Sequence, residues 1–423
     1  MTSNRILCCA LLAGVLVLPA RTLVAEGDAP SAARALDAEG DAWTAALTLE
    51  QQAAANLAQI TKFAEARAAF DAFAKSYPAS AHHSDALAES AWCAAMDLKV
   101  KSRYVESAAA FDAYAKSFPA SPHANESLVE SGVAFFALGK SKQALQRNTP
   151  ESVRDFNAAI ERFDKIAREH AGDDAAGRAN YMRGATHLIL GDLESAEKDF
   201  TTVIDKYSGD KKYFGKALER RAGTRRHLLK TSLSLADLQR YQKEVGRGGA
   251  DAELNRDAEL VARYLSYTMM FEKPAPPLDI ESWVQGDPTT LEQLRGEVVV
   301  LYFFATWCPN CAKEKDHALD VVARYEPMGV KFVGVITHSQ GTTAELARPF
   351  LAANKYNFPV LMDRGSTVGT YLSAKIPDMV IIDRAGRIRW HDHPSNLQDS
   401  TLDTLIGEDV AAATAPSAST KSH

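Results

Sequence analysis

The sequence predicts two architectures in series, an all-α helical solenoid followed by an α/β domain, and three observations carry that expectation. An eleven-residue string recurs almost unchanged 41 positions later, a proline cluster ends the helical pattern near Pro274, and beyond it apolar residues come in short β-branched blocks separated by helical segments. The 423 residues suffice for two or three domains, and 46% hydrophobic with 24% charged residues is a globular composition, not that of a disordered, collagen-like or multi-span membrane chain. A net charge of -6 provides no basic field, so nucleic acid is not an expected partner.

Residues 1–25 read as a secretory signal peptide. Arg5 precedes an almost unbroken apolar run over 6–20, and the small residues Ala20 and Ala25 offer cleavage points. The run is shorter than the roughly 20 apolar residues of a spanning helix, and Pro19 and Arg21 interrupt it, so cleavage near Ala25 is expected over a retained anchor. The mature chain is then exported to a periplasm or cell envelope. Cys8 and Cys9 leave with the signal, and Cys93, Cys308 and Cys311 remain where a thiol pair can work as a disulfide. Cys93 lies in an apolar helical stretch and reads as an inert buried side chain.

The helical domain is expected over 40–270. Residues 70–80 read FDAFAKSYPAS and 111–121 read FDAYAKSFPAS, matching at nine of eleven positions, with Phe and Tyr exchanged at the other two. The register extends outward, aligning Phe63 with Tyr104, Glu65 with Glu106, His82 with His123 and Leu87 with Leu128. Ala66, Ala69, Phe70 and Phe73 recur at helical spacing, and Pro78 and Pro119 stop a helix before the next begins. Small residues let neighbouring helices approach while aromatics fill the spaces, so each pair buries its face by stacking on the next. Weaker copies follow through Phe156, Phe163, Tyr181, Phe200 and Tyr207. On these residues the segment from about 40 to 235 resembles the tetratricopeptide repeats of bacterial envelope proteins, which implies a surface for a protein partner. The basic cluster Arg220, Arg221, Arg225, Arg226 and Lys230 is expected to be a solvated helix face. His82, His83 and His123 lack a surrounding ligand set, and no metal site is expected.

Pro274, Pro276 and Pro277 make 271–278 an expected extended linker. Over 279–410, strands are expected at 298–304, 330–336, 358–362, 379–382 and 388–390, and helices at about 310–325, 343–356 and 402–410. The β-α-β order implies parallel pairing, and the last two strands form an antiparallel hairpin through Gly386. The tail 411–423, rich in Ala, Ser and Thr, is expected to be disordered.

The first of these strands runs into Ala305-Thr306-Trp307-Cys308-Pro309-Asn310-Cys311 and then a helix. A thiol at the first turn of a helix faces unpaired backbone N–H groups and the positive end of the macrodipole, which stabilise its thiolate. Cys308 is therefore the expected nucleophile. Cys311, one turn on, resolves the mixed disulfide, so that Cys308 and Cys311 become a redox-active disulfide. Pro309 costs no hydrogen bond at a helix start. Half of a zinc site is one alternative, though no second cysteine pair completes it, and a static disulfide is another.

These residues, with the strand at 298–304, Glu314, and Ile376-Pro377 before Met379-Val380-Ile381-Ile382, resemble the TlpA-like and ResA-like group of thioredoxin-fold thiol-disulfide oxidoreductases. The resemblance implies a thioredoxin fold, a cis bond before Pro377 facing the thiols, and Trp307, Ile376 and Pro377 at the substrate. It also places Glu314 near the cysteines, where a carboxylate can disfavour thiolates and shuttle a proton. Glu314 also reads as a favourable acid in the first turn of a helix. Two residues depart from the group, Asp378 standing for its usual threonine and Asp316 for a frequent proline. His391, Asp392 and His393 are expected to be exposed at the end of the hairpin.

The expected function is that of an exported protein thiol-disulfide oxidoreductase, with the reductase direction implied by the resemblance alone. Its substrates are protein or peptide thiols and disulfides, its electrons come from an upstream donor, and the helical repeats dock a protein partner. No cofactor is expected beyond the disulfide itself. The alternatives are a non-enzymatic envelope scaffold with a static disulfide and a thiol peroxidase on the same fold.

Overall fold

The computed structural model describes residues 29–408 apart from 56–60, 144–147, 247–248, 250 and 338–340. The expected signal, with Cys8, Cys9, Ala20 and Ala25, and the expected tail at 411–423 lie outside the described residues. No helix among the described residues is long and apolar enough to cross a membrane. The chain divides after Cys93 into two compact units.

The first unit contains α1 (Ala29–Ala55), α2 (Lys62–Ser76) and the first part of α3 (His83–Val100). Phe70 and Phe73 of α2 are buried, and Trp43 of α1 packs on both at 5.6 and 5.3 Å. Cys93 is fully buried, and burial first, then the charges of Glu50 and Glu89, push its thiol up.

The second unit continues with α4 (Tyr104–Ser117), α5 (Ala124–Ser141), α6 (Pro150–Glu169), α7 (Asp174–Leu190), α8 (Leu193–Lys206), α9 (Lys211–His227), α10 (Thr231–Glu244) and α11 (Ala252–Thr268). The two matching strings have the same local fold. Tyr77 after α2 and Phe118 after α4 each donate a backbone N–H to the carbonyl four residues earlier, at 2.8 and 2.9 Å, and proline follows immediately. Side chains of Thr149, Asp173, Asp192, Asp210 and Asp251 accept backbone N–H bonds at the starts of α6, α7, α8, α9 and α11, satisfying donors that a helix end leaves unpaired.

The α/β region forms a six-stranded mixed sheet of β1 (Ile280–Gln285), β2 (Val299–Phe304), β3 (Lys331–Ile336), β4 (Val360–Asp363), β5 (Asp378–Ile382) and β6 (Ile388–Asp392), in the order β1-β4-β3-β2-β5-β6. As the pattern predicts, β2, β3 and β4 run parallel and β5 and β6 form an antiparallel hairpin, with Gly386 in its turn at φ +72°. Three differences from expectation are the largest. β1, antiparallel to β4 at the edge, is an added strand. Helix α13 (Ala344–Ala353) stops before 356, because Asn354 closes it and Lys355 takes φ +59°. After the single turn α14 (Thr367–Thr370), helix α15 (Asp399–Gly407) begins three residues early, on polar residues that suit a helix start.

Alternation along β2 sends its side chains into two cores. Val300, Tyr302 and Phe304 pack with α12 (Pro309–Tyr325), α13 and α15. Val299, Leu301 and Phe303 share a core with Leu218 of α9, Leu238 of α10, and Val261, Tyr264 and Tyr267 of α11. The last helices of the helical region thus cover one face of the sheet. The expected linker is anchored there as well. The Glu272 N–H donates to the Ile388 carbonyl and the Ala275 N–H to the Gly386 carbonyl, both at 2.8 Å, and Pro274 bridges Arg387.

Two polar expectations are corrected. Arg221 and Arg226 are buried rather than solvated, because carboxylates meet them: Arg221 pairs with Asp237 at 2.7 Å and Arg226 with Asp392 of β6 at 3.2 Å. Arg225 joins Glu197 and Asp237, each at 2.7 Å. His391 and Asp392 are buried too and His393 is half-buried, since α9 and α11 cover the hairpin end that reads as exposed in isolation.

Candidate active site

Strand β2 ends at Phe304, and four residues later Cys308 is the N-cap of α12, with Pro309 in the first turn. The backbone of Cys308 is extended, at φ -81° and ψ 114°, so its Sγ turns back over the helix start and accepts the Cys311 N–H at 3.2 Å. A helix N-terminus thereby supplies one donor and its positive end to this sulfur. Cys311 sits one turn in and is more deeply buried. Burial first, then its hydrogen bond to Cys308, pushes the Cys311 thiol up. Both cysteines are free in this structure, and their sulfurs occupy different environments.

Opposite them lies the loop that feeds β5. The Ile376-Pro377 bond is cis, as the resemblance implies, and the Cys308 S–H points to the Ile376 carbonyl at 3.7 Å. Pairing of Phe303 with Asp378 brings that loop to the end of β2 from which Cys308 also springs. Trp307 is 42% exposed beside the thiols, Ile376 is half-buried and Pro377 is buried. The structure therefore brings Trp307, Cys308, Cys311, Ile376 and Pro377 together.

Glu314 points inward with Cys311, His317 and Ala318 on the buried face of α12. The first turn of α12 carries no acidic residue, so the alternative of a first-turn acid does not apply to Glu314. Its surroundings include Tyr302, whose hydroxyl is pushed up by burial first and then by Tyr356, Cys311 and Glu314. Tyr302 reads from the sequence only as a strand residue filling a core, and nothing in a one-chain apolar run marks it as a neighbour of the thiols.

Asp378 is the departure with the largest structural consequence. It is buried, its Oδ1 accepts the Met379 N–H at 2.9 Å, and its Oδ2 meets His391 Nε2 at 2.6 Å. Burial raises the Asp378 carboxyl, and His391 opposes that shift by charge and hydrogen bond. The carboxylate therefore turns into the sheet rather than towards the thiols.

Residues 271–391 match the AhpC/TSA family model. The thiol-disulfide oxidoreductase ResA of Bacillus cereus is 28% identical over 121 residues, covering 28% of this chain and 68% of that protein. Protein FixW of Rhizobium leguminosarum is 28% identical over 137 residues, 30% of this chain and 62% of its own length. The sporulation thiol-disulfide oxidoreductase A of Bacillus subtilis is 25% identical over 119 residues, covering 28% and 72%. The C-terminal region is a TlpA/ResA-like thioredoxin-fold domain. Among solved structures, a thiol-disulfide isomerase from Corynebacterium glutamicum covers 34% of this chain and 99% of its own, at 26% identity and a TM-score of 0.30. The likeness to these oxidoreductases supports thiol-disulfide oxidoreductase function for this domain, and its dithiol falls inside the matched residues.

Proposed function

We propose that the chain is an exported thiol-disulfide oxidoreductase in which Cys308 attacks, Cys311 resolves, and the helical region docks a protein partner on tetratricopeptide-like repeats. The carrying observation is the placement of Cys308 Sγ, which accepts a helix-start N–H at 3.2 Å while facing the Ile376 carbonyl of the cis-proline loop at 3.7 Å. In the reductase direction the Cys308 thiolate attacks one sulfur of a substrate disulfide. A Cys308–substrate disulfide forms, and the other substrate sulfur leaves as a thiolate that takes up a proton. Cys311 then loses its proton and attacks Cys308 Sγ, the second substrate sulfur leaves, and it too is protonated. Two electrons and two protons reach the substrate, the dithiol becomes a disulfide, and an upstream donor must return both. Glu314, buried on the same helix face, is the proposed acceptor of the Cys311 proton.

The helical region raises the effective concentration of a docked partner near Cys308 without adding contacts at the thiols. The testing experiment is trapping with Cys311→Ser. A mixed disulfide through Cys308 is expected on incubation with envelope proteins, and its loss in Cys308→Ser/Cys311→Ser confirms the nucleophile. Failure to trap any disulfide-bearing protein, with a reduction potential below about -300 mV, would establish the static-disulfide scaffold in its place. Turnover of peroxide through Cys308 would favour the peroxidase alternative.

A further inference from the structure

The loop from Ser373 to Asp378 is held at both ends by a single side chain. His391 Nε2 lies 2.6 Å from Asp378 Oδ2 and 3.5 Å from Ser373 Oγ, and all three residues are buried. Between these ends Ala374 and Lys375 are exposed, Ile376 is half-buried, and the Ile376 carbonyl faces Cys308. The presenting part of the loop is thus a short bridge whose two footings share one imidazole.

That imidazole does not belong to a closed thioredoxin-fold core. Its ring lies flat against the ring of Tyr267, the centroids 3.7 Å apart and the planes at 22°, and Tyr267 is a residue of α11. His391 lies opposite Val380 on the sheet face whose core α11 helps to build, so that face of β6 would meet water if α11 were absent. A buried carboxylate–imidazole pair holds its geometry while water is excluded, and loosens once water competes for either partner. Tyr267 supplies the exclusion. It is itself buried, and Arg226 of α9, set over the neighbouring Tyr264 at 3.8 Å and paired with Asp392, fixes the adjoining helix to the same strand.

We propose that Tyr267, His391 and Asp378 are positioning residues of the exchange reaction, through which the last helix of the helical region holds the cis-proline loop opposite Cys308. The inference rests on the exchange reading above. It makes the helical region part of the substrate-presenting machinery as well as a docking surface. An extended polypeptide disulfide pairs with the loop and depends on its position, whereas a small aromatic disulfide needs only the Cys308 sulfur.

The test uses the reduced full-length chain with two probes, the small disulfide 5,5′-dithiobis(2-nitrobenzoate) and a ten-residue peptide carrying a central cysteine disulfide-bonded to glutathione. In each case the Cys308 thiolate displaces one thiolate and forms a mixed disulfide that Cys311 resolves. Tyr267→Ala is expected to slow exchange with the peptide about tenfold while changing the rate with the small probe by less than about twofold. Tyr267→Phe, which keeps the stacked ring, is expected to restore the peptide rate. If Tyr267→Ala does not fold, Tyr267→Leu keeps the apolar packing without the flat stack, and the same selective loss is expected. Parallel slowing of both probes, an unchanged peptide rate, or failure of Tyr267→Phe to restore it would overturn the positioning role. A wild-type chain that exchanges with neither probe through Cys308 would overturn the exchange reading itself, a result separate from any change confined to Tyr267.

Discussion

The two faces of the central sheet are built from the same strands and closed by different means. On the face that holds the thiols, Val300, Tyr302 and Phe304 meet α12, α13 and α15, all from the C-terminal third of the chain. On the opposite face, Val299, Leu301 and Phe303 meet α9, α10 and α11, and buried charge pairs such as Arg226–Asp392 accompany the apolar contacts. The chemistry sits on the self-contained face, and the link to the helical region sits on the other. A redox centre can in this way keep a local, autonomous nucleophile while its substrate loop answers to a distant element.

The largest expected effect is on the self-contained face. Cys308→Ser should reduce protein-disulfide exchange to background, and Cys93→Ser should leave it unchanged, measured as thiol release from insulin. Next come the aromatic neighbours Phe303 and Phe304, both fully buried and pointing to opposite faces. Either alanine substitution should cost about 3–5 kcal/mol of unfolding free energy. Only Phe303→Ala should also expose α9–α11 to limited proteolysis, and equal protection in the two variants would erase the distinction between the faces.

Breaking the buried ion pair is a test of the linking face. Asp392→Ala strands the Arg226 charge and should destabilise by about 3–5 kcal/mol in urea titrations. The paired replacement Arg226→Met with Asp392→Leu should recover most of that loss, and no recovery would mean the charges contribute more than their desolvation removes.

A contact of α9 with α15, reaching past the linking face, should weaken in acid. His227 is buried against Thr401, at 3.0 Å, and burial first, then the Arg226 charge, pushes its imidazole down to about 3. Between pH 6.5 and about 3 the unfolded chain therefore binds a proton that the folded chain refuses, and stability falls as pH drops through this window while remaining flat in this respect above it. His227→Asn should remove that share of the slope, read as the difference in urea midpoint between pH 7 and pH 5, and identical slopes would contradict it. The smallest effect belongs to the exposed pair Arg240–Glu244 on α10, where Arg240→Ala should change stability by no more than about 0.5 kcal/mol.

Legibility from the sequence followed the same division. Strand β2 announces itself because both its faces are buried, giving an unbroken apolar block, and the thiols follow it at a spacing with few meanings. Strand β1, with mostly half-exposed residues at an edge, has no such block. Arg226 and His391 read as solvated in the sequence because a hydrophobicity pattern sends charge outward, while their burial depends on partners far away in the chain. Asp392 lies 166 residues from Arg226, and no local pattern encodes a match over that distance. Asp378 was visible as an unusual residue, but the imidazole that neutralises its influence was not.

The bond between His227 and Thr401 spans 174 residues and has a consequence for the order in which the molecule is assembled. A chain made from its N-terminus presents α9 and α11 well before β5, β6 and α15 exist, so their apolar faces wait uncovered while more than a hundred further residues are synthesised. Contacts so distant in sequence form slowly, and the waiting surface is a natural client for a chaperone. The chain is therefore at its most vulnerable to aggregation late in synthesis, and truncation just before β5 should be more harmful than removal of the whole α/β region together with α9–α11.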